Sequence, residues 1–542
     1  MSWKSIAQGS QSSLLQSIPG RWRLDLHKYK SLKDVTSVPY TCGILTDVQL
    51  RITELTAVEI VKRLEARELK AVQVLEAFAA RAAIAHQLVN CLTDWFFEEG
   101  LRQSEELDDL LDSGGKLKGP LHGVPIAIKD FHFLKGHPTT TGYVSKRNFV
   151  PERDSALVAT LRAAGAVFFC KTTMPQTGMA LETASNLWGR TLSPFNINLS
   201  SGGSSGGDAA LVAMRGCPMT PSTDMGGSIR VPAAFNGLYA IRPTADRVPK
   251  GGMDNINSTG QTTIQLSCGP ICHSLGDLEL LTRVINAYPH NKYDVTSAPV
   301  PWRTLNALDG KLAIGIMKWD GVVMPHPPVL RALNHAKQVL ERAGHQGKSL
   351  TSHRAGQTLA AVEASGEPLL PAVADLLKVY NTRELSTVEA LGLNVKARVF
   401  KEKFRDSWSE TIRSTTTSRP IDALICPPAP SAGIPHDFNI YWGYTSLFNL
   451  LDYPSVILPI PNFKIDAQQD PVDVQYRPVE TNVYDQSNHN MCKHAKPERW
   501  TSSYDPDLFS NQPSTIQIVG RPFEDEELIQ AASTLDTLLR FA

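Results

Sequence analysis

The spacing of apolar residues over the first quarter of the chain predicts a series of amphipathic helices. Val58, Val61 and Leu64 lie on one helical face, and the segment Thr56-Ala57-Val58-Glu59 at its start has the form of a capping box. This pattern predicts a helix over about 56–67. The same reasoning predicts further helices over about 71–87, 98–111, 155–164, 276–287, 327–343, 386–417 and 524–540.

Short continuous apolar runs alternate with these helices and predict buried strands. The first run, GVPIAIKD at 123–130, is rich in β-branched residues and ends in a lysine and an aspartate. Runs that are apolar on both faces are typical of sheets covered by helices, so the alternation predicts an α/β fold. Further strands are predicted over 166–171, 312–316, 422–428, 456–459 and 515–519.

Two segments of the chain stand apart from this alternation. Residues 1–45 are mixed in polarity and predict an N-terminal arm, and residues from about 466 to 504 turn polar and predict a surface excursion. No linker rich in Pro, Gly and Ser divides the first half, so we expect one large domain over 46–542. Three aromatic residues are expected to anchor the arm: Trp3, Trp22 and Tyr40.

Composition and charge exclude several classes of partner. The 542 residues carry a net charge of +0 and no long Lys/Arg run, so we expect neither nucleic acid nor an anionic membrane surface as a partner. No stretch approaches the length of a membrane span, and the N-terminus does not have the pattern of a secretory signal, so we expect a cytoplasmic protein. Eight irregularly spaced cysteines argue against a disulfide scaffold.

The sequence also gives no pattern for a metal ion or another cofactor, and we expect none. Cys268 and Cys272 are close in sequence, but the pair lacks a second pair of ligands and encloses Pro270, which suits a turn. A His-Glu-x-x-His pattern is absent from the chain.

The candidate chemistry lies in two serines that are embedded in glycines. Gly202-Gly203-Ser204-Ser205-Gly206-Gly207 is followed by a small-residue apolar run, 209–214, which predicts a buried helix with its N-terminal amides near the serines. The second segment is Asp224-Met225-Gly226-Gly227-Ser228-Ile229-Arg230. Either segment alone is typical of a flexible loop, but a flexible linker would have no core helix attached. Glycines on both sides leave the serines and the backbone amides exposed to a ligand.

A serine hydroxyl needs a partner that takes its proton before it can act as a nucleophile. None of the fourteen histidines stands in a pattern that marks a base, although His122 is nearest to the motifs. A buried Lys129 is the alternative, because burial disfavours the charged amine and lowers its pKa. We expect neutral Lys129 to take a proton from Ser204, which takes one from Ser228 as Ser228 attacks a carbonyl carbon. A lysine at a strand end is more often a surface side chain, so the residues alone leave both roles open.

The backbone amides around Ser228 supply the other half of this chemistry. A glycine-rich turn can point several N–H groups at one anion, and a tetrahedral intermediate carries such an oxyanion. We expect an oxyanion hole formed by the amides of four residues: Met225, Gly226, Gly227 and Ser228.

Three segments within 120–245 together resemble the core motifs of the amidase signature family of serine hydrolases: GVPIAIKD at 123–130, GGSSGGDAA at 202–210 and DMGGSIRVPAAFNGLYAIRPT at 224–244. The resemblance implies a catalytic triad of Lys129, Ser204 and Ser228, with Ser204 held by a cis peptide bond. The 24-residue separation of the two serines also resembles that of the family.

The resemblance extends over nearly the whole chain and is closest to the fungal acetamidase or general amidase group. It implies a single amidase signature domain, with a mixed central sheet of about eleven strands covered by helices on both faces. It also implies hydrolysis of small or medium carboxylic amides to acid and ammonia or amine through an acyl-enzyme.

Further residues are assigned by their places in or near the matching motifs. Asp224, Arg230 and Ser205 are expected to support the serine loops by hydrogen bonds. Met225 stands where many family members have threonine, and the segment between 344 and 366 is shorter than in the acetamidases, so the pocket is expected to differ from theirs. Four residues are expected to contact substrate: Met174, Thr183, Tyr143 and Trp442.

Several alternatives stay open beside this interpretation. Gly202-Gly203-Ser204-Ser205-Gly206 also fits the nucleophile elbow of α/β-hydrolases, but a largely polar segment precedes it and no partner acid and histidine stand out. A non-catalytic scaffold, a glutaminase-type subunit of an amidotransferase, or a hydrolase of amides, esters or carbamates in a specialised-metabolite or xenobiotic pathway are the others. We expect a small-molecule amide as the ligand, and the oligomeric state stays open, with a homodimer as one option.

Overall fold

The computed structural model describes most of the chain, including every segment that carries a candidate catalytic residue. The described residues are 2–253, 263–287, 294, 297–306, 310–345, 386–472, 476–495 and 504–541. The segment expected to be shorter, 344–366, lies outside the described residues except for its first two positions, and the polar segment 466–504 is described in part.

A single ten-stranded sheet forms the centre of the molecule. Its strands lie in the order β1-β3-β2-β8-β10-β9-β13-β14-β12-β11, and two further pairs, β4-β5 and β6-β7, form small sheets of their own. In chain order the strands are β1 (Leu92–Trp95), β2 (Pro125–Lys129), β3 (Val167–Thr172), β4 (Ala184–Ser185), β5 (Gly189–Arg190), β6 (Leu192–Ser193), β7 (Asn196–Ser200), β8 (Met219–Asp224), β9 (Tyr239–Arg242), β10 (Ser267–Cys272), β11 (Ile314–Ile316), β12 (Ala423–Cys426), β13 (Ser455–Lys464) and β14 (Pro513–Val519).

The central sheet is mixed, as expected. β2 runs parallel to both of its neighbours, β3 and β8, and β11 runs parallel to β12. The remaining pairs are antiparallel. The α/β fold class is thereby confirmed, with ten strands in the described part of the chain where the resemblance implied about eleven.

Helices surround this sheet and agree with most of the predicted segments. Thr56 caps its helix as the sequence indicated, because its hydroxyl accepts a hydrogen bond from the amide of Glu59. The predicted 386–417 helix ends earlier, at Glu410, and the predicted 456–459 strand is longer. The helices are Trp3–Ser17, Val38–Thr41, Asp47–Thr53, Ala57–Glu65, Ala71–Val89, Phe97–Asp112, Ala156–Ala163, Gly206–Ala213, Arg230–Phe235, Leu275–Ala287, Pro327–Arg342, Thr387–Glu410, Gly443–Leu451, Val483–His489, Met491–Ala495 and Asp525–Arg540.

The N-terminal segment packs on the outer edge of the sheet. Helix Trp3–Ser17 contacts β1, and Trp22 is buried with its ring 6.1 Å from that of Trp95 and 5.1 Å from that of Phe97. Tyr40 is half exposed and contacts the body through its ring, over which the Arg81 guanidinium lies. Edge-to-face aromatic contacts of this kind fix the arm to the sheet.

The polar segment 466–504 is less superficial than its composition indicated. Asp470 and Asp485 are buried, because Arg331 forms an ion pair with the first and the amide of Met324 donates a hydrogen bond to the second. Met491 and Cys492 join the hydrophobic core from a short helix. The interpretation as a surface excursion is therefore wrong for these parts of the segment.

Two general features of the described structure bear on the sequence expectations. No helix within the described ranges combines the length and apolar character that a membrane crossing needs. All eight cysteines are free thiols, and seven of them are buried.

Candidate active site

Lys129 ends β2 in the middle of one half of the sheet. β2 is buried at every position because it lies between β3 and β8 and is apolar on both faces. The Lys129 side chain is 0% exposed. The sequence left open whether this lysine reaches the surface, and the structure places it inside the protein.

The Lys129 amine is surrounded by hydroxyl groups. Its Nζ atom lies 2.9 Å from Ser204 Oγ, 2.7 Å from Ser205 Oγ and 2.9 Å from Thr223 Oγ1. A neutral amine has two N–H donors and one lone pair, so it can donate to two of these hydroxyls and accept a hydrogen bond from the third. The arrangement therefore suits the uncharged form as well as the charged one.

Burial changes the protonation of this amine. Removal from water lowers the pKa of Lys129 to about 8, although the carboxylates of Asp208 and Asp224 act in the opposite direction. A base with a pKa close to the working pH combines a useful neutral fraction with sufficient proton affinity. Lys129 thus has the properties of a general base near neutral pH.

The first serine loop brings two hydroxyls to the amine. The peptide bond between Gly203 and Ser204 is cis, and a side chain at position 203 would collide with the carbonyl of Ala180 at 2.6 Å. The Ser205 amide donates a hydrogen bond to the Ser228 carbonyl at 3.2 Å, which joins the two loops. The Gly206 amide, at the start of helix Gly206–Ala213, donates to Thr183 Oγ1 at 3.0 Å.

The second serine loop is built around the carboxylate of Asp224. It accepts hydrogen bonds from the amides of Gly227 at 2.8 Å and Ile229 at 3.1 Å, and from the Arg230 guanidinium at 3.0 Å. Asp224 and Arg230 are both completely buried. Burial alone would raise the pKa of Asp224, but the Arg230 charge and these hydrogen bonds hold it well below its usual range.

Arg230 in turn connects this loop to two distant elements. It donates to the Thr445 carbonyl at 3.0 Å and to Gln517 Oε1 at 2.9 Å, and it also donates to the side chain of Asn449. The Ser228 loop is therefore fixed against helix Gly443–Leu451 and strand β14, and its geometry does not depend on local sequence alone.

The expected oxyanion hole is narrower than the sequence indicated. The Gly227 amide is committed to Asp224, whereas the amides of Met225, Gly226 and Ser228 have no hydrogen-bond partner within the part of the chain that the structure describes. Gly227 has a φ of +135°, a conformation that side-chain-bearing residues rarely adopt. Three amides, in place of four, are therefore free to bind an oxyanion.

A small cavity opens onto both catalytic serines. Its volume is about 30 Å³, and its polar wall contains Ser204, Thr223 and Ser228. Its apolar wall is formed by side chains from five separate segments: Phe131, Met174, Met179, Leu266 and Trp442.

The four residues expected to contact substrate divide into two pairs. Met174 and Trp442 line this cavity, whereas Thr183 and Tyr143 are not among its lining residues in the described structure. Thr183 accepts the hydrogen bond from the Gly206 amide and so supports the first serine loop. Tyr143 is fully buried elsewhere, with the Lys146 ammonium 5.6 Å from its ring. For these two residues the expectation of a substrate contact does not agree with their positions.

The hydroxyls of Ser204 and Ser228 share the cavity without a hydrogen bond between them among the described residues. Both are nearly buried, with exposed fractions of 3% and 6%. Hydrogen bonds that carry protons during catalysis are often long in an empty site and shorten when substrate binds.

Several residues that sequence reasoning missed complete the site. Thr223 contacts the lysine, Asn449 donates to Asp224 at 2.8 Å, and Thr445 donates to the Gly226 carbonyl at 2.7 Å. Thr223 directly precedes the second serine segment, and that proximity was the available signal. Asn449 and Thr445 are more than two hundred residues away in sequence, and only the fold brings them to the site.

Comparisons with known proteins agree with this fold and site. The sequence model of the Amidase family matches residues 73–529, so the chain belongs to the amidase family, whose members hydrolyse amides. An amidase of Gibberella zeae is 64% identical over the full length of both chains. An acetamidase of Aspergillus oryzae is 38% identical over 99% of each chain.

A solved structure of fatty acid amide hydrolase has the same architecture. Its TM-score to this structure is 0.88 at 30% identity, with 99% of this chain and 95% of the other covered. The recognition of the family from the three motifs is thereby confirmed, and the enzyme is an amide hydrolase that acts on small substrates.

Proposed function

We propose that this enzyme hydrolyses amides of short carboxylic acids to the acid and ammonia or an amine, with Ser228 as nucleophile. The observation that carries the proposal is the position of Lys129: its buried amine is 2.9 Å from Ser204 Oγ, and Ser204 shares a cavity with Ser228. This arrangement supplies a base, a relay and a nucleophile in one place.

The first half of the reaction forms an acyl-enzyme. Ser228 Oγ attacks the amide carbon, its proton passes to Ser204 Oγ, and the Ser204 proton passes to Lys129 Nζ. The carbonyl oxygen becomes an oxyanion, to which the amides of Met225, Gly226 and Ser228 donate. When the carbon–nitrogen bond breaks, the proton returns from Lys129 through Ser204 to the leaving nitrogen.

The second half releases the acid. A water molecule gives a proton through Ser204 to Lys129 and attacks the ester carbon, and the carbon–oxygen bond to Ser228 breaks. The proton then returns from Lys129 to Ser228, so the enzyme regains its starting state. The sum is one amide and one water converted to one acid and one ammonia or amine.

The cavity favours a short acyl group. Its volume of about 30 Å³ equals roughly one water molecule's share of the liquid. The side chain of Trp442 closes one side, and its ring lies against Gly226 of the oxyanion hole. The names of the acetamidase relatives support a short acyl group, whereas the name of the fatty acid amide hydrolase indicates a long one for that protein.

A series of primary amides tests this proposal. Ammonia release is measured for acetamide, propionamide, butyramide and hexanamide with the wild type, Trp442→Ala and, as a matched control, the exposed Trp319→Ala. We expect kcat/KM to fall with chain length in the wild type and in the control. We expect Trp442→Ala to raise kcat/KM for hexanamide relative to acetamide by about tenfold, as the removal of a pocket wall does. Equal or better wild-type turnover of hexanamide would reject the short-acyl assignment, and no turnover of any amide would reject the function.

A further inference from the structure

One buried carboxylate near the catalytic lysine is not explained by the catalytic steps above. Asp208 lies in the first turn of helix Gly206–Ala213, four residues after Ser204, and is 0% exposed. A buried carboxylate is costly unless hydrogen bonds and a charge partner compensate it, so its presence calls for a physical account.

The hydrogen bonds of Asp208 come from the two strands that flank the lysine strand. Ser222 Oγ, on β8, donates to one carboxylate oxygen at 2.7 Å, and the Thr172 hydroxyl, on β3, donates to the other. Thr172 is the register partner of Lys129 in the parallel β2–β3 pair. The carboxylate thus joins the helix that follows Ser204 to both neighbours of the strand that ends in Lys129.

The charge of Asp208 has no direct counter-ion. Within the described ranges no Lys, Arg or His nitrogen lies within 4.0 Å of it, whereas Asp224 is paired with Arg230 at 3.0 Å. Its partners are neutral hydroxyls. Lys129 is the cation whose field acts on this carboxylate, and Lys129 itself contacts hydroxyls only.

The other groups that face Lys129 are fixed in charge near neutral pH. Asp224 is ionised and neutralised by Arg230. Burial raises the pKa of Cys268 to about 12 and lowers the pKa of His132 to about 3, so both are uncharged. Burial also raises the pKa of Asp208, to about 6, despite the Lys129 charge and the two hydroxyls. Asp208 is therefore the carboxylate whose charge is free to stabilise protonated Lys129.

We propose that Asp208 is a positioning residue that sets the pH range of catalysis, because its unpaired carboxylate stabilises the protonated form of Lys129 and orders the strands on either side of it. The proposal rests on the assignment of Lys129 as the base. In this role the carboxylate keeps the lysine a strong enough base to take the Ser204 proton. It touches neither substrate nor the reacting atoms.

The sign of the expected effect follows from linkage. A nearby negative charge raises the pKa of an amine, so its removal lowers that pKa and makes the amine neutral at lower pH. The acidic limb of the pH profile therefore moves to lower pH. The plateau at high pH falls, because a less basic amine takes the proton less readily.

The test is the pH dependence of kcat/KM for acetamide in the wild type, Asp208→Asn and Asp208→Glu. We expect Asp208→Asn to move the acidic limb down by about one pH unit, so that its activity at pH 6.5 relative to its own plateau rises about tenfold. Asp208→Glu keeps the charge and should return the limb toward the wild-type position. A limb that stays in place in Asp208→Asn while the plateau alone falls would overturn the proposal, since a merely structural role lowers activity equally at every pH.

A milder variant covers the case in which Asp208→Asn does not fold. Ser222→Ala removes one hydrogen bond from the carboxylate, raises its pKa and so reduces its charge near neutral pH. We expect a smaller shift of the limb in the same direction, and an unmoved limb would contradict the proposal. A wild-type profile with no acidic limb near pH 8 would instead reject Lys129 as the base, so the two failures are distinguishable.

Discussion

The amine of Lys129 lies closer to the hydroxyl of Ser205, at 2.7 Å, than to that of Ser204, at 2.9 Å. Distance alone therefore does not decide which serine carries the proton. The cavity does, because Ser204 lines it together with Ser228, whereas Ser205 is not among its lining residues. Ser205 is fully buried, and its amide is bonded to the Ser228 carbonyl.

This difference predicts unequal losses for two neighbouring substitutions. Ser204→Ala interrupts the proton path and should lower kcat by about 10²–10⁴-fold, the usual contribution of general acid–base catalysis. Ser205→Ala removes one hydrogen bond to the lysine but leaves the path, and should lower kcat by about tenfold or less. Steady-state kinetics on one amide compares the pair, and a larger loss in Ser205→Ala would assign the relay to the wrong serine.

The catalytic groups were largely predictable from the sequence because each is marked locally. Glycines flank Ser204 and Ser228, and an apolar strand ends in Lys129. The alternation of helices and strands predicted the fold class for the same reason, since hydrophobic periodicity is a local property.

The supporting contacts were not predictable in the same way. Thr445, Asn449 and Gln517 reach Gly226, Asp224 and Arg230 only because the sheet order brings distant strands and helices together. The use of the Gly227 amide by Asp224 also depends on the turn conformation, which glycine permits but does not specify. The surroundings of the pocket therefore required the structure.

The pH dependence of activity should report the ionisation of Lys129. The neutral amine is the active form and its pKa is about 8, so kcat/KM should rise about tenfold per pH unit up to that value and then level off. Lys129→Arg keeps a positive charge at every accessible pH and should be inactive throughout. Lys129→Ala should lose most activity at acidic to neutral pH.

The pH profile is measured on one amide from pH 5 to 10. An acidic limb near the ordinary pKa of a carboxyl group, together with appreciable activity in Lys129→Arg, would show that another group is the base.

The ion pair between Asp224 and Arg230 should contribute strongly to stability as well as to geometry. Arg230→Met leaves a carboxylate buried without its counter-ion, which should lower the free energy of unfolding by about 3–5 kcal/mol. Arg405→Met, which breaks an exposed ion pair with Asp406, is the control and should cause no measurable change. Thermal unfolding at a fixed scan rate compares the two variants, and equal midpoints would contradict the structural role of the buried pair.

The close contact between Gly226 and Trp442 should make position 226 sensitive to a single methyl group. A Cβ atom at 226 would lie 2.7 Å from Cζ3 of the indole, so either the ring or the oxyanion amides must move. Gly226→Ala should lower kcat by about 10²-fold, because displacements near 1 Å have effects of that size. Adding Trp442→Ala should restore part of the activity on acetamide, since it removes the obstacle.

A glycine with more room serves as the control for this substitution. A Cβ atom at Gly276 would meet its nearest neighbours at 3.7 Å, so Gly276→Ala should retain full activity. No recovery in the double variant would show that the methyl group acts on the backbone of the loop and not through Trp442.

Covalent labelling of the nucleophile tests the central claim most directly. The wild type, Ser228→Ala and Lys129→Ala are treated with a fluorophosphonate, and the modified peptide is identified by mass spectrometry. We predict a single modification at Ser228 in the wild type, none in Ser228→Ala, and a strongly slowed reaction in Lys129→Ala at neutral pH. Labelling of another residue, or amide hydrolysis at the wild-type rate by Ser228→Ala, would contradict the account.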